Sequence, residues 1–226
     1  MLFNLRLKFY NKVSSLTYDN SFKTFIKKFL FFLITLPLRI KYIFLLKSFR
    51  VIPTRHIVCL DILIKLTRLY KPLNINFFLT GGSALGAVRQ QGFVGRPSDI
   101  DLGLTDDHFK IFSENFNLME KTFFQVSEPE SLKEENCKFN INNILVDISI
   151  YSKKKIDKKT FWTGEKSNPN GPIVLSHENL SKLANVKLYN YNFFTFRDYN
   201  FYLEKIHGKS WKIPNKKQFF WKKKIY

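Results

Sequence analysis

Asp99 and Asp101 stand one residue apart in Ser98-Asp99-Ile100-Asp101-Leu102, and a third acid, Asp147, interrupts the apolar run from Ile144 to Ile150. In a β-strand alternate side chains share a face, so Asp99 and Asp101 point the same way while Ile100 and Leu102 turn inward. Neighbouring carboxylates repel, and burying them demands a nearby Arg or Lys, protonation, or a divalent cation. An all-oxygen ligand set selects Mg²⁺ or Mn²⁺. If the Asp147 strand lies beside the Asp99–Asp101 strand, three carboxylates converge and can hold one or two ions. The alternatives are a solvated strand end for the pair and, for Asp147, a Lys or Arg partner at a sheet edge.

Just upstream, Asn74 to Thr80 (NINFFLT) reads as a strand running into Gly81-Gly82, and Ser83 opens a helical stretch, SALGAVRQ. Glycine lets the backbone turn and approach a ligand, and the free N–H groups of a first helical turn carry the positive end of the helix dipole. Gly81, Gly82 and Ser83 are therefore candidates for holding a phosphate, with a simple tight turn and N-cap as the alternative. Arg89, six residues into the helical run from Ser83, either crosses to the phosphate or neutralises the acids, and Arg96 is a lesser candidate for the same anion.

The stretch GGSALGAVRQQGFVGRPSDIDLGL resembles, without a gap, the signature of the LicD/fukutin-related family within the nucleotidyltransferase fold. Near the C-terminus, DYNFYLEKIHGKSWKIP is similar to the closing element of that family through Tyr202, Leu203, Gly208, Trp211 and Pro214. Arg96-Pro97-Ser98 departs from the usual Trp-Asp-Asp, Gln90 replaces a His, and His207 replaces a Tyr. The resemblance implies transfer of a phospho-alcohol, such as phosphocholine or a polyol phosphate, from a CDP-activated donor to a glycan hydroxyl. The acceptor class is a cell-surface polysaccharide or lipid-linked oligosaccharide, and CMP leaves. It also implies magnesium, held by Asp99 and Asp101 and completed by Asp147, which is in addition the candidate for taking the hydroxyl proton. Gly81, Gly82, Ser83 and Arg89 are expected around the phosphates of the donor.

The formal charge of +19 is concentrated at the two ends. Residues 1–55 hold 11 Lys and Arg against Asp19, and residues 200–226 hold eight against Glu204, leaving +2 for the 144 residues between. Nucleic acid as a partner is disfavoured, because the positive field does not surround the candidate cleft; an anionic membrane surface fits better. In residues 22–50 the longest uncharged run, Phe29 to Leu38, is ten residues, and spanning a bilayer takes about twenty. Lys27, Lys28, Thr35 and Arg39 share one sector of a helical wheel, as in a helix lying in the membrane interface, with a core helix as the alternative. The expected organisation is a basic amphipathic segment over 1–54, a catalytic domain over 55–215 and a basic-aromatic tail over 216–226. The expected location is the cytoplasm, peripheral on the cytoplasmic face of a membrane.

Cys59 and Cys137 make no metal-ligand spacing. The scaffold reads as a helix over His56 to Tyr70, a helix over Asp106 to Leu118, strands over Phe123 to Ser127 and Lys138 to Asn142, and a polar loop over Ser152 to Gly171. His108 and His177 are given local roles. The expected fold class is α/β (α+β), a nucleotidyltransferase-like mixed sheet flanked by helices with an N-terminal amphipathic helical appendage. Two other functions compete: attachment of a nucleoside monophosphate to a small molecule or protein, and a catalytically inactive membrane-binding domain.

Overall fold

The computed structural model describes Leu36 and residues 54–129, 131–132, 136–156, 159–164 and 172–214. Apart from Leu36 and Thr54, the expected membrane-binding segment and the basic tail lie outside the described residues. The chain enters through helix α1 (Thr54–Tyr70), turns through Lys71–Leu73, and passes a short strand β1 (Phe78–Leu79) into helix α2 (Gly81–Gln90). Strand β2 (Asp99–Thr105) is followed by α3 (Asp106–Glu114) and α4 (Leu118–Thr122). Four strands come next: β3 (Ser131–Leu132), β4 (Asn136–Ile141), the long β5 (Ile144–Ile156) and β6 (Lys159–Gly164). Then come β7 (Ile173–Ser176), α5 (Glu178–Ser181), β8 (Ala184–Leu188), β9 (Tyr191–Thr195) and α6 (Tyr199–His207).

The main sheet runs β3-β4-β5-β2-β1-β9-β8, with β6 continuing from the far half of β5 and β7 from β6. Pairing is parallel for β2 with β5 and for β1 with β9, and antiparallel elsewhere, so the sheet is mixed. Ile100, Leu102 and Leu104 of β2, Val146 and Ile148 of β5, and Cys137, Phe139 and Ile141 of β4 are buried in the core. By strand alternation their polar neighbours Asp99, Asp101, Asp147 and Lys138 take the other face.

The sequence places Ile57, Leu60, Leu63 and Ile64, with Thr67, on one face of helix α1. In the structure Ile57 to Leu60, Ile62 to Ile64 and Leu66 are all buried, and the buried Asp61 is balanced by Lys65 at 2.7 Å, so this is a core helix. Aromatic edges close the space under it: Tyr70 packs on Phe77 and Phe112, and Phe112 on Phe139.

Four expected elements come out differently. The strand from Asn74 shrinks to Phe78–Leu79, because Asn74 is left-handed (φ 56°) and only two residues find partners on β2. The Asp106 helix breaks at Asn115–Asn117 into α3 and α4. Phe123–Ser127 makes a single bridge, Val126 to Ile141, rather than a strand. The supposed loop after Ser152 is largely a hairpin, since Ser152–Ile156 of β5 pairs with β6. Lysines 153 to 155 are exposed, which hides the strand pattern, and Lys153 covers the Trp162 ring at 5.0 Å.

Helix α2 crosses the chain that follows it so closely that only glycine fits at Gly86: a Cβ there meets the Gly92 carbonyl oxygen at 2.4 Å and Phe93 Cα at 3.1 Å. Both obstacles are backbone. Gly86→Ala is expected to lower unfolding free energy by about 1–3 kcal/mol, read from urea denaturation; an unchanged midpoint contradicts the crossing.

Candidate active site

In the parallel pairing of β2 with β5, Asp101 lies directly opposite Asp147 and Asp99 opposite Leu145. Adjacent strands are about 4.8 Å apart, so Asp101 and Asp147 start from neighbouring backbone positions on one face. The antiparallel pairing of β4 with β5 extends the row by setting Lys138 opposite Asp147. Each carboxylate turns to a donor of its own. Asp101 Oδ2 accepts from Ser83 N at 3.1 Å, Asp147 Oδ2 pairs with Lys138 Nζ at 2.8 Å, and Asp99 Oδ1 accepts from Ser98 Oγ at 2.8 Å. The three therefore share a face without a preformed cage: among the described residues no three His, Cys, Asp or Glu side chains group as a metal cluster.

The glycine turn acts on Asp101. Helix α2 begins at Gly81, two residues before the expected start, with Thr80 as its N-cap. The Ser83 hydroxyl accepts from Asp101 N at 3.0 Å while Ser83 N donates to the carboxylate, a reciprocal clasp between helix and strand. A Cβ at Gly81 (φ +45°) meets the Asp101 carboxyl carbon at 2.9 Å, and one at Gly82 meets Oδ2 at 3.2 Å, so the glycines leave room for the acid. Gly81 N donates to the Tyr202 hydroxyl at 2.8 Å, and His207 Nε2 meets Gly81 O at 3.3 Å. The first-turn N–H groups of Gly81 and Ser83 thus face partners within the protein, and the acid at this helix N-terminus is Asp101. Arg89 likewise has a partner that neither sequence-based alternative named: Nη1 donates to the Trp211 carbonyl at 3.2 Å. Burial lowers its pKa. It ties α2 to the segment after α6.

A cleft of about 330 Å³ opens between this turn and the segment leading to β2, lined by Gly82, Ser83, Phe93, Arg96, Asp99 and Asp101. Arg96 is exposed at its rim. The backbone on either side of Arg96 is fixed from α1: His56 Nε2 bonds Gly95 O at 2.5 Å, Arg55 Nε donates to Pro97 O, and Arg55 Nη2 donates to Ser98 O at 3.1 Å. A carbonyl only accepts, so His56 carries its proton on Nε2 and leaves Nδ1 to accept from the Tyr189 hydroxyl at 2.5 Å. Tyr189 in turn accepts from Phe93 N at 3.2 Å. Burial lowers the His56 pKa, consistent with the neutral ring this chain of bonds needs. A second cleft of about 320 Å³, lined by Ile64, Arg68, Lys71, Phe77, Tyr191 and Phe193, contains none of the acids.

Sequence reasoning missed Arg55, His56, Tyr189 and Lys138. Tyr189 lies in a Tyr-Asn turn 133 residues from His56, and no local pattern links them. Lys138 was read only as part of a strand; the general expectation of a basic partner for Asp147 is met by it.

Burial, followed by the charge of Asp99, pushes the Asp101 carboxyl up to about 7, with Asp147 adding to the rise and the Ser83 and Gly82 N–H groups opposing it. The stability consequence has a definite sign. Between the ordinary value of 3.8 and about 7, the unfolded chain has released this proton and the folded chain has not. Stability contributed by neutral Asp101 is thus full below the lower value and lost as pH rises through the upper. The difference in urea midpoint between the metal-free protein and D101N is expected to fall across that window and level off above it. A flat difference contradicts the assignment.

The sequence matches the LicD/FKTN/FKRP nucleotidyltransferase domain over residues 74–195. The matched stretch holds Asp99, Asp101, Asp147 and the glycine turn, and stops short of Tyr202 and Trp211. No curated protein matches the chain. Among solved structures, the crystal structure of ANT(2")-Ia in complex with adenylyl-2"-tobramycin is similar at a TM-score of 0.43 and 14% identity, covering 65% of this chain and 77% of that one. With more than half of its length in the match, the chain belongs to the LicD/FKTN/FKRP nucleotidyltransferase-domain family, a family of transferases.

Proposed function

We propose that the protein transfers a phospho-alcohol, phosphocholine or a polyol phosphate, from a CDP-activated donor to a hydroxyl of a glycan or lipid-linked glycan. The observation that carries this reading is the register of β2 against β5, which sets Asp101 beside Asp147 with Asp99 on the same face at the edge of a cleft. A divalent cation fits these residues. All donors are oxygens, and Asp101 is an acid whose ionisation is penalised by burial and by like charge. Asp99 and Asp101 would hold Mg²⁺ or Mn²⁺, with Asp147 beside them on the same face. When bound, the ion supplies charge neutralisation to the diphosphate.

The residues of the chain do the rest. The acceptor oxygen bonds to the phosphorus bearing the alcohol, the bond from that phosphorus to the bridging oxygen breaks, and the bridging oxygen leaves with CMP. Asp147 takes the hydroxyl proton at Oδ1, since Oδ2 is engaged by Lys138. Arg96, mounted on a fixed backbone at the rim, meets the phosphates. Gly81, Gly82 and Ser83 serve the donor by holding Asp101 at the head of α2, and Arg89 by fixing the helix from behind.

Among the described residues no helix is long and apolar enough to cross a membrane. We place the protein peripherally on an anionic surface through its basic ends, on the strength of their charge.

Purified protein incubated with Mg²⁺, acceptor glycans, and either CDP-alcohols or nucleoside triphosphates is expected to release CMP. Pyrophosphate instead identifies transfer of a nucleoside monophosphate, and neither product, beside active controls, an inactive domain. D99N and D101N are expected to reduce turnover by about 100-fold or more, the scale of losing several kcal/mol of charge stabilisation. Separately, removal of residues 1–50 is expected to abolish cosedimentation with phosphatidylserine vesicles; unchanged sedimentation rejects attachment through this segment.

A further inference from the structure

The cross-strand row Asp101, Asp147, Lys138 places a fixed ammonium at the end of the acid cluster. Lys138 is opposite Asp147 on β4, with Nζ 2.8 Å from Oδ2, and the two side chains are 37% and 23% exposed. Because Cys137 and Phe139 on either side are fully buried, β4 cannot slip by one residue without putting the lysine into the core. The strand position from which the ammonium reaches Asp147 is therefore set by the same sheet that sets the acids.

Formal charge then limits what the site can accept. Asp99, Asp101 and Asp147 bring three negative charges, and the segment entering β2 contributes Arg96 and no further carboxylate. One divalent ion together with Lys138 offsets the three acids, and Arg96, exposed at the rim, is left for the phosphates. Two divalent ions would leave a net positive site, and the second would have to take Asp147 from the lysine. Asp101 and Asp147 already point apart, one toward α2 and the other toward β4.

We infer that Lys138 stands in for a second cation: the substrate-free site takes a single divalent ion on Asp99 and Asp101, with Asp147 reserved by the ammonium. Lys138 is thus a positioning residue that sets metal stoichiometry. The inference rests on the reading of Asp99 and Asp101 as cation ligands.

Mn²⁺ binding to the full chain, without nucleotide, measured by calorimetry and by electron paramagnetic resonance, tests it separately from activity. One ion is expected in the wild type, in K138R, which keeps the charge, and in K154M, which removes an exposed lysine further along β5. Two are expected in K138M, with K138Q in its place if the methionine variant does not fold. Two ions in the wild type overturn the inference and leave the proposed cation site standing. A single ion in the folded charge-free variant also overturns it, whatever the affinity. No ion in the wild type removes the proposed cation site itself, and the inference with it.

Discussion

The architecture turns on holding one half-buried carboxyl group, Asp101, beside two others. Such a group is unfavourable unless donors converge on it. Here the donors come from the first turn of α2, so that turn has to abut β2, and the residues facing the carboxyl have to lack side chains. Gly81 and Gly82 satisfy the steric demand, while Ser83 satisfies the polar one in both directions. Tyr202 and His207 of α6 then grip Gly81 by its N–H and its carbonyl. The C-terminal block, far away in sequence, thus stabilises the conformation of a turn it never adjoins.

The same requirement is met three times by different means. Asp99 takes a hydroxyl, Asp101 two backbone amides and Asp147 an ammonium. Each acid has a protein partner. Helix α2 supplies the partners of Asp101 on β2, and β4 supplies the partner of Asp147 on β5.

The acids and the glycine turn were legible in the sequence because their signals are local: an alternation of Asp with Ile and Leu, and a Gly-Gly-Ser before a helical run. The mixed sheet followed from the same patterns. What escaped was long-range. Lys138 reads as one more polar residue on a strand until the antiparallel register places it opposite Asp147. That the Gly81-Gly82 turn receives Asp101 was not legible either, because sequence does not say which acid of the protein lies nearest to a helix N-terminus. The β6 hairpin was lost for a compositional reason: its solvent face is lysine, and an edge strand guarded by charge resembles a loop.

Arg55 and His56 belong to the opening turn of α1, yet they anchor the carbonyls of Gly95, Pro97 and Ser98 at the cleft mouth. Because these bonds come from the first turn of α1, itself a core helix, any shift of α1 carries with it the carbonyls on both sides of Arg96. The rim of the cleft thus inherits its rigidity from interior packing and not from the loop in which Arg96 sits.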